Sequence, residues 1–345
     1  MPQDTAFTLP FGAVTSPDAD AARHRSLLWC RRQGLIADPV DELRFLRRDI
    51  AGLMAAWTPR ASGEQLDLTV DAVVVATFLD DHVHGPLADQ PDRVAAACTD
   101  FATVIGTGGR PPAGAGPLMG AFGDVWRRLA DGASPAWLER TGQHWQWHLG
   151  ARAQEAHNRA RRRVPTRAEY AELRRRSGFV YAMIDLSQKA YGFELPRRLH
   201  TDSVVRRMLD ITADVVDALD DVHSVEKKES RGDLHNLVLV IEDELGCDRA
   251  DSLREIRGMI SAWCEEFLSL EQRLPGAVGL RDTATALRIA DCMRTAMSGY
   301  LEWSRTTRRS CHLVPTGEPA PAADPVTSPR PTRDHPHLWR GHAPS

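Results

Sequence analysis

The feature that most constrains the fold is a helical repeat of apolar residues along much of the chain. Asp251 and Ser252 open a segment, up to Leu270, in which apolar side chains recur three or four positions apart, which is the spacing of one face of an amphipathic helix that begins at Asp251. The same spacing predicts a helix over residues 204–222, and Thr166 with Glu169 predicts a capping box that begins another. Alternating apolar and polar stretches, which are typical of half-buried strands, are scarce. The sequence therefore predicts an all-α fold.

Length and composition are consistent with one large helical domain. The 345 residues are 42% hydrophobic and 26% charged, as in ordinary globular proteins. We interpret residues 1–24 as an N-terminal extension and residues 25–312 as the domain. Residues 313–345 carry many prolines and almost no periodicity, so we expect a disordered tail.

Charge and apolar patterning exclude several classes of function. The 43 basic and 47 acidic residues give a net charge of −4, which argues against binding nucleic acid through the charge of the whole chain. The longest apolar runs are far too short to span a membrane. Six cysteines occur without a CxxC pair, and no signal peptide is apparent at the N-terminus. We therefore expect free thiols in a reducing cytoplasm.

Two acidic clusters interrupt apolar helical segments. Asp80 and Asp81 follow the apolar run 73–79. A helix that is apolar nearly all round is buried, so carboxylates at its end are expected to face a cavity, a metal or a partner. Farther along, Asp220, Ser224 and Lys228 are spaced four residues apart and share one helical face. Either cluster alone is explained equally well as a solvated helix end.

Three other patterns are weaker. His144 and His148 have the i, i+4 spacing of a two-histidine metal site, but no HExxH motif accompanies them. The glycines in 106–117 lack the Gly-Lys-Ser/Thr of a phosphate-binding loop, so we predict a loop between helices. The arginine run 161–163 is interpreted as solvated charge.

Taken together, these segments resemble the class I terpene synthases, particularly the bacterial single-domain cyclases. DDHVH at 80–84 looks like the family's DDxxD motif, and DDVHSVEKK at 220–228 is similar to its (N/D)DxxSxxxE motif. Arg174 stands 46 residues before position 220, the interval expected for the family's diphosphate sensor. Ser177 and Gly178 follow it in the places of linker and effector.

A fourth motif extends the resemblance to the C-terminal end of the domain. WSRTTRRS at 303–310 is similar to the family's WSxxTxRY, with Arg309 matching the arginine and Ser310 in the place of the tyrosine. The resemblance covers residues 25–312. It implies a helical bundle around a central cavity in which an allylic prenyl diphosphate (C15 or C20) is ionised and cyclised to a hydrocarbon or alcohol, with release of diphosphate.

The resemblance also implies roles for individual residues. The implied catalytic set is Arg174, Ser177 and Gly178, and the implied magnesium ligands are Asp80, Asp81, Asp220 and Ser224. His84, Lys228 and Glu229 form a second tier that binds metal or diphosphate, while Arg174, Lys227 and Arg309 bind diphosphate. The candidates for the apolar pocket, where aromatic faces stabilise cations, are Phe78, Phe179, Tyr181, Tyr300 and Trp303.

Two positions depart from the family pattern. His84 replaces the last acid of the first motif, and Lys228 replaces the glutamate of the second; an ammonium cannot ligate magnesium. Either Lys228 contacts the diphosphate, or Glu229 or Glu226 reaches the metal through a distorted helix, or the site has lost one ion. The expected cofactor is therefore three magnesium ions, or two if the Lys228 position has lost its metal.

Two other functions compete with a cyclase. A degenerate, non-catalytic protein that binds isoprenoid diphosphates is the first, because of His84 and Lys228. A trans-prenyltransferase is the second, although it normally shows two DDxxD motifs and the second cluster here has Ser224 at the cyclase spacing. The expected partner is a prenyl diphosphate and not nucleic acid, and a homodimer is left open.

Overall fold

A computed structural model describes residues 7–85, 87, 90–230 and 232–311. Every regular element in these ranges is an α-helix, which confirms the predicted all-α fold. No helix in them is both long enough and apolar enough to cross a bilayer.

Fourteen helices follow one another along the described ranges. They are α1 (Ala19–Arg32), α2 (Pro39–Arg48), α3 (Ile50–Trp57), α4 (Gly63–His84), α5 (Pro91–Gly106), α6 (Pro117–Ala130), α7 (Pro135–Ala160), α8 (Arg167–Ser177), α9 (Val180–Ala190), α10 (Arg197–His200), α11 (Ser203–Ser230), α12 (Leu237–Leu245), α13 (Arg249–Val278) and α14 (Leu280–Cys311). The predicted loop over 106–117 is the connection between α5 and α6.

Side-chain caps determine where several helices begin. The Thr166 hydroxyl accepts from the backbone N–H of Glu169, whose carboxylate accepts from the Thr166 N–H, so the predicted capping box is present. The start predicted for α13 at Asp251 is wrong. The helix begins at Arg249 because the Asp248 carboxylate caps it by accepting from the Asp251 N–H, which places Asp251 in the first turn.

The core is built around α3, α4, α11 and α14. Helix α3 is buried along its whole length and packs against α14, which also packs against α11 and α13. Close approach of α14 to α3 requires Gly299, because a Cβ there would lie 2.3 Å from the Ala56 carbonyl oxygen. The interior half of α4, residues 69–76, is buried on every side. This packing fixes the C-terminal end of α4, where the first acidic cluster begins.

The N-terminal segment belongs to the packed body of the protein. Phe7 is buried, and the Phe11 ring meets Phe267 of α13 edge-on, with centroids 5.7 Å apart. The predicted domain boundary after residue 24 falls inside α1, which is one continuous helix. The tail predicted over 313–345 lies outside the described residues.

A break between α8 and α9 separates two helices that would otherwise be continuous. Gly178 ends α8, and Phe179 has the left-handed φ of +66° before α9 begins at Val180. A left-handed backbone at a bulky residue is costly and is retained only where its surroundings impose it.

Candidate functional site

The first cluster lies at the last turns of α4 and is held by an arginine of α7. Arg152 makes a two-point contact with the Asp80 carboxylate, with Nη2–Oδ2 and Nε–Oδ1 distances of 2.9 and 2.7 Å. His148 Nε2 lies 3.5 Å from Asp80 Oδ1. Burial alone would raise the pKa of Asp80, but Arg152 and His148 outweigh it and lower that pKa below its ordinary value. Asp80 is therefore an ionised carboxylate at neutral pH.

The other two residues of this cluster have different partners. Asp81 is nearly half exposed and pairs with Arg48 of α2, Nη2 to Oδ2 2.5 Å. His84 Nδ1 lies 2.9 Å from the Asp80 carbonyl oxygen, so this nitrogen carries the proton and donates. His84 thus bonds to the helix backbone in the place where the motif expects an acid.

The second cluster is organised around the buried guanidinium of Arg174. Its Nη2 donates to Asp220 Oδ2 at 2.6 Å and lies 3.1 Å from Asp221 Oδ1. Tyr300 of α14 donates its hydroxyl to Asp220 Oδ1 at 2.7 Å. Burial opposes ionisation of Asp220, yet Arg174 and Lys228 lower its pKa below the ordinary value. Helices α8, α11 and α14 therefore meet at one ionised carboxylate.

Asp221 is fully buried and connects α11 to the segment that follows it. Its Oδ2 accepts from the Tyr170 hydroxyl and, at 2.6 Å, from the Leu237 N–H. Asn236 Nδ2 donates to the Asp221 carbonyl at 2.8 Å. These bonds use Oδ2 for packing, so Asp221 supports the second cluster and is not a freely available ligand.

Asp220, Ser224 and Lys228 lie on one face of α11, as predicted, and they differ in their contacts. Ser224 Oγ is enclosed and has no hydrogen-bond partner. One turn on, Lys228 Nζ donates to the His235 carbonyl at 2.7 Å and lies 3.7 Å from Asp221 Oδ1. Glu229 is exposed and pairs with Arg249 at 2.7 Å. Lys227 is exposed as well.

A chain of polar contacts connects the two clusters. Arg152 contacts both Asp80 and the buried Glu155, with an Nη1–Oε2 distance of 2.8 Å to the latter. Glu155 Oε1 lies 3.8 Å from His235 Nε2, and the His235 carbonyl accepts from Lys228. Burial would raise the pKa of Glu155, but Arg152, His235 and Lys228 hold it well below the ordinary value. The ends of α4 and α11 thus face one charged region.

The α8–α9 break lies directly behind Arg174. His148 Nδ1 lies 2.9 Å from the Ser177 carbonyl oxygen, to which it donates. The Asp217 carboxyl packs on Gly178 so closely that a Cβ would lie 1.9 Å from Oδ1. Burial raises the pKa of Asp217 to about 8, although Arg174 at 3.7 Å opposes the shift. The Asp217 carboxyl group, which is protonated at neutral pH, therefore connects the α8–α9 break to the Arg174 guanidinium.

Two of the predicted aromatic residues lie beside the second cluster. Tyr300 bonds to Asp220, and the Trp303 ring lies beside that of Tyr300, with centroids 5.5 Å apart, while its indole N–H donates to the Asp49 carbonyl at 2.9 Å. Phe179 is buried against Trp145, with centroids 4.5 Å apart. The structure thus brings aromatic faces to the second cluster and to the α8–α9 break.

The remaining candidates have other surroundings. Phe78 is half-buried on α4. Tyr181 donates to Asp210 at 2.7 Å, and its ring lies beside that of His144, with centroids 5.5 Å apart. The side chain of Arg309 lies outside the described residues.

Three residues of this region have no counterpart among the sequence-based candidates: Arg152, Glu155 and His235. The sequence indicates His144 and His148 only as a weak metal site. The structure separates their roles, because His144 Nδ1 bonds to Asp185 at 2.7 Å while His148 bonds to the Ser177 carbonyl. The available signal was the i, i+3 pair of Arg152 and Glu155, which alone resembles an ordinary surface ion pair.

The oxygen ligands of the two clusters are suited to a metal ion that binds together with a phosphate group. In the described part of the chain, no three His, Cys, Asp or Glu side chains are arranged to hold a metal by themselves. Magnesium usually binds through one or two carboxylates together with substrate phosphates and water. Asp80 and Asp220 supply such carboxylates, and the unpartnered Ser224 Oγ supplies a further oxygen. The residues present therefore fit magnesium that binds along with a phosphorylated ligand.

Comparisons with known proteins agree with this chemistry. The family described as "Terpene synthase family 2, C-terminal metal binding" matches residues 71–266, which include both clusters. Pentalenene synthase of Streptomyces exfoliatus is 33% identical over 90% of this chain and 93% of its own length. A 7-epi-alpha-eudesmol synthase of Streptomyces viridochromogenes, described as cyclising (2E,6E)-farnesyl diphosphate, is 29% identical over 90% and 92%. The solved linalool/nerolidol synthase of Streptomyces clavuligerus superposes with a TM-score of 0.80, 29% identity and coverage of 87% and 100%.

Proposed function

The chain belongs to the terpene synthase family and is a class I terpene cyclase that depends on a divalent metal, and we propose that its substrate is the C15 diphosphate, farnesyl diphosphate. The observation that carries the proposal is the ion pair of Arg174 with Asp220, one turn of α11 before the unpartnered Ser224 Oγ. The chain of polar contacts described above connects this pair to Asp80. The chain length is supported by the farnesyl-diphosphate-cyclising relative, which matches nearly the whole chain.

The reaction requires heterolysis of an allylic C–O bond. The bonding electrons leave with the diphosphate oxygen, and the carbon skeleton becomes an allylic cation. Bound magnesium neutralises the diphosphate and polarises the breaking bond. We propose that these ions are held by oxygen donors near the C-terminal ends of α4 and α11, namely Asp80, Asp81, Asp220 and Ser224.

Arg174 performs the complementary task of holding the leaving group. A guanidinium presents donors in a planar fork that matches phosphate oxygens. In the structure this fork is directed at Asp220 and Asp221. Because Gly178 and Asp217 pack directly behind it, a shift of the guanidinium towards a phosphate is transmitted to the α8–α9 break. We propose that Ser177 and Gly178 act through this coupling.

The cation needs a pocket that excludes water and offers aromatic faces. Tyr300 bonds to Asp220, Trp303 lies beside Tyr300, and Phe179 lies at the helix break. Phe78 is on α4, close in sequence to Asp80. We propose that these four line the cavity next to the diphosphate, and we leave Tyr181 out because its contacts are with Asp210 and His144, which belong to neither cluster.

The direct test is incubation with the C10, C15 and C20 prenyl diphosphates and magnesium, with products identified by gas chromatography–mass spectrometry. We expect cyclic C15 products. Diphosphate release without a cyclic product from any substrate would contradict cyclase activity. Binding without turnover would identify a non-catalytic binder, and condensation with isopentenyl diphosphate would identify a prenyltransferase.

Asp80→Asn is the variant that tests the metal site. It retains the shape of the side chain and removes its charge, so we expect turnover to be lost. Asp282→Asn is the matched control, because Asp282 forms an equivalent two-point pair with Arg198 at the start of α14. Equal loss of activity in both variants would assign the effect to stability and not to metal binding.

A further inference from the structure

We propose that Lys228 binds the diphosphate of the substrate directly and supplies, at its turn of α11, the positive charge that a divalent ion would otherwise supply. The inference rests on the proposed function, because it concerns the same site and the same ligand. It assigns two bound metal ions to the loaded enzyme, with the Lys228 ammonium as a third, fixed cation.

The position of the ammonium relative to Arg174 is the first argument. Both cations approach the same oxygen, Asp221 Oδ1, at 3.1 Å from Arg174 Nη2 and 3.7 Å from Lys228 Nζ. Two positive groups that flank one atom are close enough to contact the two ends of a single diphosphate. An anion held by Arg174 is therefore within reach of Lys228.

The donor capacity of Lys228 is the second argument. An ammonium has three N–H donors, and one of them is used by the His235 carbonyl at 2.7 Å. Asp221 at 3.7 Å is outside hydrogen-bond distance. The side chain is 19% exposed, so the group is held in place while donors remain for a ligand. Its neighbour on the helix face, Ser224, carries an enclosed hydroxyl oxygen without a partner, which independently indicates that a ligand belongs at this face.

The third argument is that the carboxylates near the Lys228 turn already have other partners. Glu229 is the residue that could replace the missing acid, but its carboxylate is 44% exposed and bonded to Arg249 of α13. Glu226 is exposed on α11. Asp221 uses Oδ2 for Tyr170 and the Leu237 N–H, and its Oδ1 faces Arg174 and Lys228. In the described residues, the Lys228 turn therefore offers a cation where a metal would need an anionic oxygen.

The experiment measures binding of inorganic diphosphate by isothermal titration calorimetry, with EDTA present so that no divalent metal contributes. We expect the wild-type protein to bind metal-free diphosphate and Lys228→Gln to bind it about 10- to 100-fold more weakly, as expected for loss of one charge-assisted hydrogen bond. Lys228→Arg should retain most of the affinity. Lys189→Gln is the matched control, because Lys189 donates to the Asp131 carbonyl on a different surface.

Metal stoichiometry gives a second, independent measurement. Manganese titrated in the presence of diphosphate and followed by electron paramagnetic resonance should show two bound ions per wild-type chain. Lys228→Glu restores a carboxylate four residues after Ser224, so we expect three ions and diphosphate binding that requires metal. Thermal unfolding of each variant verifies that it is folded.

The proposal would be overturned by three manganese ions in the wild type, or by diphosphate affinity unchanged in Lys228→Gln. A loss in Lys227→Gln that equals or exceeds the loss in Lys228→Gln would likewise overturn it, in favour of the exposed neighbour. These outcomes are separate from failure of the proposed function, because calorimetry uses no prenyl substrate and product formation by the wild type is assayed on its own.

Discussion

Gly178→Ala is the sharpest structural test of the link between the helix break and Arg174. The φ of Gly178 is −68°, so alanine fits the backbone and any cost comes from space. A Cβ would lie 1.9 Å from Asp217 Oδ1 and 2.5 Å from Cγ, whereas real Cβ contacts stay beyond 3.0 Å. The carboxyl must therefore move by about 1 Å, in an interior too densely packed to absorb it.

The expected cost is that of overpacking. Inserting a methyl into a filled site costs about 1–3 kcal/mol, and the gain from replacing glycine by alanine at a compatible position is about 0.4–1 kcal/mol. We expect Gly178→Ala to lower the free energy of unfolding by about 1–2 kcal/mol. Turnover should fall as well, since the displaced Asp217 carboxyl lies 3.7 Å from the Arg174 guanidinium.

Urea unfolding of a double-mutant cycle measures this contact. In the Asp217→Ala background the added methyl has room, so we expect Gly178→Ala to be close to neutral there. Gly258→Ala is the control: Gly258 is exposed within α13, and a Cβ added there would have no neighbouring atom within 4 Å, so this change should be neutral or stabilising. Equal destabilisation of Gly178→Ala in both backgrounds would refute the steric reasoning.

Three further predictions concern the same region. Asp217 has a pKa of about 8 in the folded protein and about 3.8 when unfolded, so its contribution to stability falls as pH rises between these values. Asp217→Asn should remove this loss of stability, which is at most about 1.4 kcal/mol per pH unit. Identical pH profiles of unfolding for variant and wild type would contradict the prediction. Ser224→Ala should change the free energy of unfolding in urea by no more than about 0.5 kcal/mol, because Ser224 Oγ has no hydrogen-bond partner. It should nevertheless raise the magnesium concentration needed for turnover at least about tenfold. Unchanged metal dependence would show that Ser224 is not a metal ligand. Arg174→Ala should cost about 3–5 kcal/mol, since Asp221 is fully buried, and a variant as stable as the wild type would show that this ion pair is dispensable.

Local periodicity was sufficient to predict much of the fold and one face of the site. The four-residue spacing of Asp220, Ser224 and Lys228 fixes their common face in any regular helix, and the structure keeps all three on α11. The capping box at Thr166 was predictable for the same reason, because it depends on residues three apart. Features set by short sequence separations were thus accessible before the structure.

Contacts between distant segments were not accessible. Arg152 meets Asp80 across 72 residues because α7 passes beside the end of α4, and nothing in either local sequence specifies that crossing. By sequence Tyr181 is equivalent to the other aromatic candidates, and only the fold shows that Asp210 is its partner. The start of α13 was misplaced because Asp248 and Asp251 are both good capping residues, and only the backbone distinguishes them.

The two departures from the motifs share one structural property. His84 and Lys228 each bond to a backbone carbonyl, of Asp80 and of His235, whereas Asp80, Asp220 and Asp221 are each engaged by a buried arginine. Replacing one of those three acids therefore removes one of the carboxylates that balance Arg152 or Arg174. Replacing the side chain at 84 or 228 leaves the ion pairs of Arg152 and Arg174 in place. Positions 84 and 228 are therefore the two motif positions of this architecture at which the side chain can change, and the metal requirement with it, while every carboxylate–arginine pair of the two clusters is kept.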